Sequence, residues 1–168
     1  MVGMVDTKMR ERKFLADSML GKLAKWLRIM GYDTHYQSRY SPGQIEQLVK
    51  ADRILITRKR QLVAMVPAAV LLFSDRVGEQ INELNARGLF SPSAKPFSRC
   101  IRCNTLLVRP DKDILPYCVP DYVKYESGDL ISHCPTCGRC YWPGTHRENM
   151  EKQLHSWGVR LDHAPPYS

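Results

Sequence analysis

The chain is 168 residues long, 43% hydrophobic and 25% charged, with a formal net charge of +8. That composition belongs to an ordinary globular protein, and no apolar run reaches the about 18 residues that a helix needs to cross a bilayer, so fibrous, wholly disordered and helical-membrane classes are excluded. The basic balance, with a pI of about 9.3, points to a polyanionic partner, nucleic acid ahead of a membrane surface.

The opening MVGMVDTKMRERK has no hydrophobic signal core, so residues 1–12 read as a flexible leader and a cytoplasmic location is expected. Lys13-Phe14-Leu15-Ala16 reads as a short strand ending at Asp17. From Met19 to Met30 the apolar residues fall on one helical stripe, with Lys22, Lys25 and Arg28 off it. Asp17 or Ser18 can cap that helix and Gly31 suits its C-terminal end. Asp33–Tyr36 is a weak second strand. Ser41-Pro42 places a capping hydroxyl and a first-turn proline before Ile45, Leu48 and Val49. Then come the strand RILIT (53–57), a short helix over 60–66, and the apolar strand Val70–Phe73. Ser74-Asp75 caps a helix carrying Val77, Ile81 and Leu84 and closed by Gly88. Apolar strands alternating with helices predict an α/β domain over 13–90, its parallel sheet covered on both faces. Residues 91–96 read as a linker, 97–157 as a cysteine-rich module ending in a short helix, and 158–168 as a disordered tail.

All six cysteines lie from residue 100 onward. Cys100/Cys103 and Cys134/Cys137 are two CxxC pairs. Each can hold one face of a tetrahedral ion, and together they make a closed thiolate shell for structural Zn²⁺. The competing reading, a redox CxxC, lacks a thioredoxin-like setting. Asn104 and Gly138, directly after the pairs, suit the tight turns that aim backbone N–H groups at sulfur. Cys140 could replace Cys134, although the Cys-Pro-x-Cys-Gly form favours Cys134. Cys118 and Cys140 read as buried thiols, and His133 and His146 as surface residues.

Three acids are placed for chemistry. Asp17 ends the first strand, Asp75 follows the last strong one, and Glu46 flanks its helix stripe. Several carboxylates at strand ends can hold the Mg²⁺ or Mn²⁺ that activates water for phosphodiester cleavage. The blander reading is also open: Asp17 and Asp75 are good helix caps, and Glu46 a solvated side chain. Lys22, Lys25 and Arg28, with Arg58, Lys59 and Arg60, could contact phosphate or simply face water.

FLADSMLGKLAKWLRIMGYDT (14–34), RILITRKR (53–60), EQINEL (79–84), FSRCIRCNTLL (97–107) and CPTCGRCYWPGTHRENM (134–150) together resemble the Mut7-C RNase family. The resemblance implies a three-layer PIN-like domain followed by a zinc ribbon. It also implies a metal-dependent ribonuclease with an acidic cluster at the strand ends. Asp17 matches the family's first-strand aspartate, and the four CxxC cysteines match its zinc ligands. Thr57 and Arg58 match the start of a TRDR motif whose aspartate is Lys59 in this chain. An ammonium there repels a divalent cation at close range. Two readings follow: a ribonuclease using Asp17, Glu46 and Asp75, or an RNA-binding protein with weakened catalysis. A third, plainer reading is a protein-interaction domain built on the zinc ribbon.

Overall fold

In the sheet, Phe14, Leu15 and Ala16 are fully buried, as befits a central parallel strand covered on both faces. This computed structural model describes residues 11–91, 94–114 and 118–161. Strands β1 (Lys13–Ala16), β2 (Thr34–Tyr36), β3 (Arg53–Thr57) and β4 (Val70–Leu71) are all parallel, in the order β2-β1-β3-β4. Helices α1 (Gly21–Ile29), α2 (Pro42–Lys50), α3 (Arg60–Met65) and α4 (Val77–Ala86) lie between or after the strands. Register pairs Ala16 with Tyr36 on one side and Ile56 on the other. Asp17 and Thr57 therefore leave the sheet at the same edge.

The expected helices form, with local differences. Ser41 caps α2 through a reciprocal box with Gln44, and Pro42 opens the helix. Helix α1 begins later than its stripe suggested: Met19 is 62% exposed, and no side chain caps the start. The expected strand Val70–Phe73 stops at Leu71. The Glu83 carboxylate accepts hydrogen bonds from the backbone N–H groups of Phe73 (3.0 Å) and Ser74 (2.9 Å), which turns the chain off the sheet.

The cysteine-rich segment packs onto the α/β layer. It contains α5 (Asp121–Ser127), a 3₁₀ turn at Gly128–Leu130, the antiparallel pair β5 (Ser132–His133) and β6 (Cys140–Tyr141), and α6 (Thr145–Ser156). Leu154 of α6 is fully buried in the same core as Phe14, Leu23 and Leu84. Val159 and Leu161 also pack against that core, and residues 162–168 of the expected tail lie outside the described residues. Of the expected leader, residues 1–10 are likewise outside them, whereas Glu11 pairs with Arg99 at 3.3 Å and Arg12 reaches the Gly88 carbonyl. The expected linker, 91–96, is described at 91 and 94–96. Gly31 sits at φ 95°, and a side chain there would collide with the Lys95 backbone, so this stretch lies against the end of α1. Among the described residues no helix is long and apolar enough to cross a membrane.

Gly78 of α4 is the second glycine that packing requires. The Trp157 ring lies 2.5 Å from where its Cβ would sit, and Trp157 meets Trp26 edge-on at 4.7 Å. Replacing a helical glycine with alanine normally gains ~1 kcal/mol. Here Gly78→Ala is expected to destabilise by ~1–3 kcal/mol, because the whole indole must shift in a packed core. Chemical denaturation would measure this, and a stabilised variant would mean that Trp157 moves freely.

Candidate functional site

Asp17 is 3% exposed at the C-terminal end of β1. Its backbone N–H donates to the Ile56 carbonyl at 3.0 Å, continuing the ladder and fixing the side chain toward β3. The Thr57 hydroxyl donates to Oδ2 at 2.8 Å and the Ser18 hydroxyl to Oδ1 at 2.9 Å. Lys59 Nζ lies 3.2 Å from Oδ1 and 3.3 Å from Ser18 Oγ. Burial pushes the Asp17 carboxyl up, but the hydrogen bonds from Thr57, Ser18 and Lys59, with the Lys59 charge, hold it below its ordinary value. It is an ionised, neutralised carboxylate. Thr57 also orients the loop, its Oγ1 accepting from the Lys59 backbone N–H at 2.9 Å.

A small cavity of about 100 Å³ opens here, lined by Asp17, Ser18, Tyr40 and Lys59 over an apolar floor that includes Leu15, Ile45 and Leu62. The Tyr40 hydroxyl accepts from the Gln37 backbone N–H at 2.9 Å and meets His35 Nδ1 at 3.0 Å. Burial pushes it up to about 12, so it stays a neutral phenol. Of the residues around Asp17, Thr57 is marked in the sequence by its match to the TRDR motif and Ser18 only as a helix cap, whereas nothing in the sequence marks Tyr40.

The other expected acids are elsewhere. Glu46 is exposed on α2 and pairs with Lys50 at 2.7 Å. Asp75 is exposed in the turn before α4 and does not line this cavity. Among the described lining residues Asp17 is the one carboxylate. A lone carboxylate already bound to an ammonium does not fit Mg²⁺ or Mn²⁺, which need several oxygen ligands.

Lys22 and Lys25 lie exposed on α1, Arg60 is exposed, and Arg58 half-buried. Arg28 corrects the expectation of a solvent-facing row. It is 5% exposed, with Nε donating to the Thr34 carbonyl at 3.0 Å and Nη1 to the carbonyls of Ile101 and Arg102, each at 2.9 Å. The first CxxC turn packs against α1, and its backbone acceptors supply what a buried guanidinium needs.

The Sγ atoms of Cys100, Cys103, Cys134 and Cys137 lie within 4.8 Å of one another, a set that could hold a zinc ion. Asn104 (φ 66°) and Gly138 (φ 74°) take the left-handed conformation that the knuckle turns need, and the Cys103 backbone N–H donates to Cys100 Sγ at 3.3 Å. Four such sulfurs cannot all ionise unaided. Desolvation together with neighbouring Cys137 and Cys100 pushes the Cys103 thiol up to about 12, and a divalent cation would relieve that repulsion. The donor set fits zinc.

Cys140 is outside this set. It is bonded to Cys118 (S–S 2.06 Å), which corrects the expectation of two buried thiols. Val119, Val123 and Ile131 form a small core that also takes in Trp142, and this folds the Cys118 end of the segment back over β6.

The sheet edge and the sulfur cluster are thus parts of one fold, and the family model of the Mut7-C RNAse domain matches residues 12–154, spanning both. The chain belongs to that family. No curated protein and no solved structure matches it. Membership in the Mut7-C RNAse family points to ribonuclease activity and to RNA as the substrate. In this member, however, the position beside Asp17 is an ammonium.

Proposed function

We propose that this chain binds RNA at the strand-end pocket and that its Mut7-C site is weakened or silent as a metal-dependent nuclease, within a PIN-like domain. The observation that carries this reading is the ion pair between Lys59 Nζ and Asp17 Oδ1 at 3.2 Å. Lys59 neutralises the carboxylate and occupies the space beside it, while Glu46 and Asp75 are too dispersed to help. The net charge of +8 and the exposed Lys22, Lys25 and Arg60, with the half-exposed Arg58, support phosphate attraction. The four cysteines hold a structural Zn²⁺ that takes no part in chemistry, since a closed thiolate shell offers no open position.

Purified chain is expected to bind RNA with strong salt dependence and to leave it intact in Mg²⁺ or Mn²⁺. The second reading, a metal-dependent ribonuclease, is favoured by the family match and by the Lys59 side chain, which at 41% exposed could swing aside. Cleavage that needs Mn²⁺ and disappears in Asp17→Asn would establish that reading and overturn the first.

A further inference from the structure

A second, much larger cleft of about 1350 Å³ lies between α1, the first CxxC turn, α5 and the start of α6. Small-molecule sites run to roughly 300–1,000 Å³, so this one suits an extended ligand. Its lining residues include six Lys or Arg but a single carboxylate, Glu126. Arg28 and Arg99 are turned to backbone carbonyls, and Arg147 pairs with Glu151 over the Phe97 ring. Lys25, Arg102 and Arg139 are exposed and pair with no carboxylate among the described residues. Aromatic residues are interleaved with these cations: Tyr36, Tyr122, Tyr141 and Trp142 all line the cleft, and Tyr122 is 62% exposed.

We infer that this cleft is a track for single-stranded RNA, with Arg102 and Arg139 holding phosphates and Tyr122 and Trp142 offering faces to bases. Cations that follow a backbone, combined with aromatic platforms, bind single strands with little regard to sequence. A duplex keeps its bases stacked inside and cannot use such platforms. One contact joins the wall of the track to that of the strand-end pocket. Tyr36 lines the cleft and donates its hydroxyl to the Ser18 carbonyl at 3.1 Å, and Ser18 lines the Asp17 cavity. On this inference a strand lying along the cleft runs toward the side of the fold that carries Asp17 and Lys59.

The inference rests on the RNA reading above, and its test separates the two. Zinc-loaded full chain is titrated with labelled oligouridine across a range of salt, with a blunt RNA duplex as competitor. Arg102→Ala/Arg139→Ala is expected to bind at least about tenfold more weakly, with a log–log salt slope shallower by about 1.4, two single-strand phosphate contacts. Tyr122→Ala is expected to weaken binding with the slope unchanged, and this exposed site carries the test should the double variant fold poorly. The track is overturned if both variants bind as wild type, or if duplex competes as well as oligouridine. Should both variants keep wild-type binding while Lys59→Ala loses it, the cleft falls and the strand-end reading survives. A wild-type chain that ignores oligouridine overturns both.

Discussion

Lys59→Asp is expected to turn the strand-end pocket into a Mn²⁺ site, raising affinity at least about a hundredfold over the unaltered chain. The substitution changes the local charge by two units, from a neutral Asp17–Lys59 pair to two adjacent carboxylates. Two unit charges 4 Å apart interact by ~4 kcal/mol at an effective dielectric of ~20. The Lys59 side chain is 41% exposed, so solvent screening reduces this to ~1 kcal/mol for each pair of unit charges. Against a dication even the reduced value exceeds the ~2.7 kcal/mol that a hundredfold represents. Titration calorimetry with Mn²⁺ measures it directly, and Asp17→Asn/Lys59→Asp should return the site to weak binding. If Lys59→Asp takes up Mn²⁺ no better than wild type, residue 59 does not govern the metal. The Lys59–Asp17 ion pair would then not account for a silent site.

Much of this site could be read from the chain because its information is local. The strand RILIT is apolar between its opening arginine and the threonine that ends it, and residue 59 follows two positions later; the Lys59–Asp17 contact was therefore foreseeable once β1 and β3 were adjacent. Asn104 and Gly138 reported their own left-handed turns, and the four CxxC cysteines specified their cluster by spacing. Arg28 misled for a physical reason. Helical periodicity says which residues share a face but not what will later cover it, and the turn that covers Arg28 arrives 73 residues downstream. Glu46, on the flank of a helix stripe, and Asp75, just past the last strong strand, lie outside the Asp17 cavity, since only tertiary packing decides which carboxylates converge. The Cys118–Cys140 bond depends on a 22-residue excursion folding back, which no spacing rule encodes.

Removing the zinc proposed for the four-cysteine cluster is expected to loosen the sheet as well as the knuckles. Two links transmit the loss. Arg28 joins α1 and β2 to the carbonyls of the first knuckle. Asn104, the residue after that knuckle, donates to Asp33 at 2.7 Å and accepts the Thr34 backbone N–H at 2.9 Å, completing the outer edge of β2. If the knuckle opens, a buried guanidinium and an edge-strand N–H lose partners together, at ~1–3 kcal/mol for each unsatisfied group. Cys100→Ser, or a strong chelator, should therefore lower unfolding free energy by at least ~3 kcal/mol, since structural zinc contributes folding energy outright. Arg28→Met should reproduce part of that loss with zinc still bound, which separates the link from the metal. Amide exchange gives the decisive readout. Thr34 should lose protection in metal-free protein and in Arg28→Met, while Leu55 in the interior of β3 changes less. Unaltered Thr34 protection after chelation would show that the knuckles and the sheet are energetically independent, and that contact between them does not amount to coupling.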